Sequence, residues 1–96
     1  MKIFYTTRAG ADLEAISSFL RRRSPHASDS VIQELRKQIG TLSDFPLKGT
    51  PTATVGTRRL TISRYPYLGF YRPEEDTISI LHIRHASRRP WGGGED

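Results

Sequence analysis

The chain has no cysteine. A disulfide framework, a thiolate metal centre and a cysteine nucleophile are therefore excluded, and the composition suits a reducing compartment. Apolar runs are short: none reaches the roughly 18 residues of a membrane-spanning helix. The N-terminus also lacks a charged leader with a hydrophobic region and cleavage site. The expectation is a cytoplasmic protein with no membrane partner. Acid is scarce too, ten Asp and Glu against fifteen Lys and Arg, for a formal charge of +5. Hydrophobic residues make up only 35%. They cluster in periodic segments, which argues against disorder throughout.

Twelve of the fifteen cations are arginines. Their planar fork grips carboxylates and phosphates bidentately, so an acidic protein segment or a nucleic acid is the natural partner class. A basic solubilising surface gives the same charge balance. Ninety-six residues fit one domain, which at this size buries roughly 60 to 70% of the surface its unfolded chain exposes. No internal repeat is visible, and the only low-complexity segment is Gly92-Gly93-Gly94. The domain is expected to span residues 1–91, with 92–96 as a disordered tail.

Lys2 to Thr6 is β-branched and aromatic and predicts a first strand. Thr7 is placed to cap a helix on which Leu13, Ile16, Phe19 and Leu20 line one face. Arg21, Arg22 and Arg23 close it at the carbonyl end of its dipole. Ser24-Pro25 reads as an N-cap followed by proline at the first helical position. Val31, Ile32, Leu35, Ile39 and Leu42 continue the helical period to Ser43, and Phe45-Pro46 stops it. Residues 47–56, with Gly49, Pro51 and Gly56, predict an irregular loop. From Thr57 the period becomes two, Leu60 and Ile62 alternating with Arg59, Thr61 and Ser63 in a second strand. Tyr65-Pro66 turns the chain into a third strand, Tyr67 to Arg72, and residues 73–76 turn it into a fourth, Thr77 to Ile83. In that strand Ile78 and Ile80 are expected on one face, Leu81 and Ile83 on the other. The predicted fold is α+β, in the order β-α-α-β-β-β, with a helical hairpin packed on an antiparallel four-stranded sheet.

Five stretches carry a family resemblance: Thr7-Arg8-Ala9 with Asp12-Leu13; Ser24-Pro25; Leu42-Ser43-Asp44-Phe45-Pro46-Leu47-Lys48-Gly49; Tyr65-Pro66-Tyr67-Leu68-Gly69-Phe70-Tyr71-Arg72; and Ile80-Leu81-His82-Ile83-Arg84-His85. In this order and at these spacings the chain resembles the RelE/ParE toxin superfamily of type II toxin-antitoxin systems, and more closely its ParE branch. The resemblance covers residues 3 to about 90. It implies a small toxin held inactive by a cognate antitoxin with an acidic, amphipathic C-terminal segment, the pair reaching operator DNA only through the antitoxin. Leu13, Ile16 and Leu20, with Arg58, Arg59 and Arg72, are the residues expected to meet that segment.

Two activities divide the superfamily. RelE-like members are ribosome-dependent mRNA endonucleases, which need a base for the 2′-hydroxyl and cations for the phosphorane charge. The family's cation in the aromatic strand falls here at Leu68, which can supply no charge. Arg59, Arg64, His85 and Arg88 form the nuclease set that remains, with His82, Arg84 and Arg89 as further candidates. His82 and His85 lie three apart on a strand and point to opposite faces, which argues against a shared metal; no cofactor is expected. ParE-like members act by binding, impairing DNA gyrase and provoking DNA breaks, so the resemblance favours a non-enzyme. Arg84, His85, Arg88, Arg89 and Trp91 combine arginines with an indole, as binding hot spots do, and are the expected target surface. A homologue that has lost toxicity and only binds its antitoxin is the remaining reading.

Overall fold

The computed structural model describes residues 1–87. The expectations for Arg88, Arg89, Trp91 and the tail 92–96 lie outside the described residues.

Strand β1 (Lys2–Tyr5) leads into helix α1 (Thr7–Arg21) and helix α2 (Pro25–Gly40), which ends in a 3₁₀ turn at Thr41–Ser43. Strands β2 (Thr50–Pro51), β3 (Arg58–Thr61), β4 (Tyr67–Pro73) and β5 (Thr77–His85) follow. The sheet has the order β1-β5-β4-β3-β2. It is mixed rather than antiparallel, because β1 pairs parallel to β5. A tight turn can only make antiparallel neighbours, whereas β1 is joined to the rest of the sheet through the helical crossover that a parallel pair requires. The fifth strand is a two-residue pairing inside the predicted loop, at the sheet edge where a proline such as Pro51 is tolerated.

The caps explain where the helices begin. Thr6, one residue before the expected position, is extended, and its hydroxyl accepts from Ala9 N at 3.2 Å while donating to Ile80 O at 2.8 Å. It therefore caps α1 and ties that end to β5. Ser24 caps α2 as its sequence predicts, accepting from Ala27 N at 3.2 Å with Pro25 in the first turn.

Leu35, Ile39, Leu42, Tyr71, Ile78 and Ile80 are the centre of the core between the helices and the sheet. Ile83 joins them, contrary to the expected alternation. The register between β4 and β5 slips there, Phe70 facing His82 but Tyr71 facing Ile80. Leu81 is the extra residue of a bulge, which reverses the parity of every position after it. Leu68 and Phe70 lie on the sheet face away from the helices, since Tyr67 and Tyr71 belong to the core cluster and alternate with them.

The Phe45-Pro46-Leu47-Lys48-Gly49 stretch is anchored by one side chain. The Tyr71 hydroxyl donates to Pro46 O at 2.8 Å and accepts from Gly49 N at 2.8 Å. A Cβ on Gly49 would stand 2.6 Å from Arg59 O and 2.8 Å from Tyr71 Cε1, so only glycine fits. Arg58 adds a donor, its Nη1 lying 2.6 Å from Gly49 O and 3.3 Å from Leu47 O. Among the described residues no helix is long and apolar enough to cross a membrane.

Candidate functional site

β1 accompanies β5 only as far as Ile80, the partner of Tyr5. Past that point, among the described residues, no strand lies beside this edge of β5, and α1 packs there. The Thr6 hydroxyl lies 3.3 Å from Leu81 O. Asp12 Oδ2 accepts from Ile83 N at 2.9 Å and from His82 Nδ1 at 2.9 Å. One carboxylate thus satisfies a strand-edge amide and fixes the imidazole, with the proton on Nδ1. His82 Nε2 is buried and has no hydrogen-bond partner among the described residues.

Between α1 and this part of β5 runs a groove of about 640 Å³. Ile16 and Phe19 form its apolar wall, and Phe19 is 51% exposed. The Arg23 guanidinium sits 4.8 Å from the centre of the Phe19 ring. Arg8 and Arg84 add two more cations to the lining, against Asp12 as its only described carboxylate. Tyr67 and His85 meet edge to face at 5.3 Å, and His85 Nδ1 is held by Ser87, 3.1 Å from its N and 2.8 Å from its Oγ.

The sequence-predicted residues separate into distinct places. Ile16, Arg84 and His85 line the groove. Leu13 is 4% exposed and belongs to the core, so it offers a partner no surface in this conformation; Leu20 is half-buried against the same core. Arg58 anchors the Gly49 loop, while Arg59 and Arg72 extend from the sheet face opposite the helices, at positions facing Phe70 and Ser79. Arg64 lies in the β3–β4 turn with φ 78, 3.9 Å from Glu34. His82 and His85 do fall on opposite faces, facing Phe70 and Tyr67 respectively. Asp12, Arg8 and Phe19 are not among the site residues read from the sequence, whereas Arg23 belongs to the arginine run read there as closing α1, with a phosphate or acidic-partner contact as the alternative. The signal for Asp12 was present: it lies three residues after Ala9 and four before Ile16, an acid on the helix's apolar stripe.

Chemically the groove is equipped to hold a chain: an apolar wall, guanidinium groups and a carboxylate already engaged. His82 has Nδ1 bonded to Asp12 and Nε2 buried, and half-exposed His85 has Nδ1 engaged by Ser87. Among the described residues no group of three metal-capable side chains is assembled.

Comparison with known proteins agrees with this geometry. The family model described as the ParE toxin of the type II toxin-antitoxin system parDE matches residues 3–90. The toxin RelE2 of Caulobacter vibrioides is 32% identical over 87 residues, 91% of this chain and 97% of that protein. Y4kP of Sinorhizobium fredii is 28% identical over 88 residues, 92% and 91% of the two chains. A chain of the chromosomal ParDE system of P. aeruginosa superposes with a TM-score of 0.80 at 27% identity, covering 91% of this chain and 97% of its own.

Proposed function

We propose, from the fact that this chain belongs to the ParE toxin family of type II toxin-antitoxin systems, that it acts by binding, inhibiting DNA gyrase until a cognate antitoxin neutralises it. The observation that carries the reading is the groove along α1 and β5. An amphipathic acidic segment fits it chemically, apolar side chains against Ile16 and Phe19 and carboxylates toward Arg8, Arg23 and Arg84. The target surface in this reading is Arg84 and His85, continuing into Arg88, Arg89 and Trp91. Because Arg84 and His85 also line the groove, an antitoxin lying there covers part of the target surface, which accounts physically for neutralisation. Operator DNA is reached only through the antitoxin, and the cytoplasm is the compartment where target and partner meet.

Catalysis is disfavoured by the same residues. Leu68 is 8% exposed and supplies no charge where a nuclease of the superfamily needs a cation. The test is expression in a bacterial host, with and without the short frame expected beside the gene. Growth arrest with double-strand DNA breaks, relieved by the neighbouring product, is the expected result. Phe19→Glu should abolish the relief and keep the arrest. Arrest accompanied by ribosome-dependent mRNA cleavage, without DNA breaks, would assign the chain to the RelE-like activity instead, and no arrest would leave an antitoxin-binding homologue.

A further inference from the structure

The last described residues lead the chain into the groove. Ala86 N donates to Pro66 O at 2.7 Å. Ser87 N donates to His85 Nδ1 at 3.1 Å, and Ser87 Oγ lies 2.8 Å from the same nitrogen. His85 and Ser87 both line the groove, so the backbone is pinned at its rim and residue 88 starts there.

Residues 88–96 read Arg-Arg-Pro-Trp-Gly-Gly-Gly-Glu-Asp. They hold the one tryptophan of the chain and, beyond it, two of its ten acidic residues. The groove offers the complement of both. Ile16 and half-exposed Phe19 give an apolar wall on which an indole can bury its rings. Arg8, Arg23 and Arg84 are in the lining, while Asp12 is already engaged by Ile83 N and His82 Nδ1; guanidinium groups pair carboxylates and cover indole faces. Reach is sufficient. Trp91 stands four residues past Ser87, up to about 14 Å of extended chain, and Asp96 nine residues past it, up to about 30 Å. Helix α1, with 15 residues, is about 22 Å long.

We propose that residues 88–96 occupy the groove of their own chain when no antitoxin is bound, Trp91 against Ile16 and Phe19, Glu95 and Asp96 toward the arginines, and that an antitoxin has to displace them. The inference rests on the reading of the groove as the antitoxin site and adds its regulation: the toxin carries its own acidic competitor, and Trp91 is withheld from the target surface while it is docked. Tethering through a short segment gives an effective concentration of about 1 mM. A free-segment dissociation constant of about 1 mM then fills the groove half the time, and one of about 0.1 mM weakens the apparent affinity for antitoxin about tenfold.

Trp91 is the only tryptophan, so the fluorescence of the full chain reports on this segment alone. Its emission should be blue-shifted, and its quenching by acrylamide severalfold weaker, relative to the urea-unfolded chain, both independent of protein concentration. Phe19→Glu should raise the quenching to the unfolded level. Glu95→Gln combined with Asp96→Asn should move it part of the way, as should high salt, and this pair decides the matter if thermal melts find Phe19→Glu unfolded. Arg22→Gln, outside the groove lining, should change nothing. A tryptophan quenched as freely in the native protein as in urea would overturn the proposal. So would shielding that survives both groove and acid variants, which places Trp91 elsewhere, or shielding that grows with protein concentration, which places the segment in a second copy. The antitoxin reading has its own readout in the relief of growth arrest: relief with an exposed Trp91 sinks the docked segment alone, whereas a Trp91 shielded until Phe19→Glu, with relief unaffected by that change, supports the docked segment and removes the antitoxin from the groove.

Discussion

Replacing Tyr71 by Phe removes one oxygen and leaves the ring. In the wild-type protein that oxygen donates to Pro46 O and accepts from the buried Gly49 N, both at 2.8 Å. Without it the Gly49 amide loses its hydrogen-bond acceptor at a buried position. A buried donor left unsatisfied costs about 1–3 kcal/mol, and the lost bond to Pro46 O adds up to about 1 kcal/mol. The expected loss is therefore about 2–3 kcal/mol. For a domain of this size, roughly 4–8 °C of Tm accompany each kcal/mol, so thermal unfolding should fall by about 8–24 °C. Urea unfolding should show a lower midpoint with an unchanged slope, because the surface exposed on unfolding is the same. The groove lies near Tyr67 and His85 at the other end of β4, and antitoxin affinity should not change. A loss under about 0.5 kcal/mol would refute the reasoning that the Tyr71 hydroxyl holds the Phe45–Gly49 loop.

Three further outcomes follow from the same geometry. Gly49→Ala forces a Cβ within 2.6 Å of Arg59 O, a backbone atom that cannot swing away, and should cost about 1–3 kcal/mol in urea unfolding. Ser24→Ala removes the α2 cap and should cost about 1 kcal/mol, while Thr7→Ala, one residue past the true cap of α1, should cost much less in the same assay. Burial raises Tyr71, partly offset by the Gly49 hydrogen bond and Arg58, and burial raises Tyr5, partly offset by Arg36, both from the ordinary value of 10.0. The unfolded chain then gives up these protons first, so their stabilisation is complete below pH 10 and is lost as pH climbs through the folded values. Thermal melts in alkaline buffer should show Tm falling above pH 10, less steeply in Tyr71→Phe.

Local chemistry made much of the fold legible. Ser24-Pro25 and Phe45-Pro46 fixed the ends of α2 to within a few residues, the period of two announced β3, and the Tyr65-Pro66 turn announced β4. What escaped depends on long-range register. The bulge at Leu81 arises from the fit of β5 against β4, and nothing in Ile80-Leu81-His82-Ile83 states which residue is extra; Ile83 was consequently assigned to the wrong face. The parallel direction of β1 is set by how the helical crossover returns to the sheet, which no local pattern encodes. The cap moved from Thr7 to Thr6 because β5 offers Ile80 O to the earlier hydroxyl. At the site, Ile16, Arg84 and His85 were readable from pattern and resemblance. Asp12 was hidden in plain sequence, an acid on an apolar stripe whose purpose appears only when the open edge of β5 is placed beside it. Leu68 was noticed for the charge it lacks, and its place beside Phe70 on the arginine-bearing face shows what surrounds that lack.

The central claim, a toxin that works by binding gyrase, is tested most directly with purified components. DNA gyrase, supercoiling relaxed plasmid, is titrated with the full chain, with and without the cognate antitoxin. The account predicts that supercoiling is inhibited, that cleaved plasmid accumulates, and that a stoichiometric amount of antitoxin restores activity. Undiminished supercoiling at saturating toxin, with no cleaved plasmid, would contradict it.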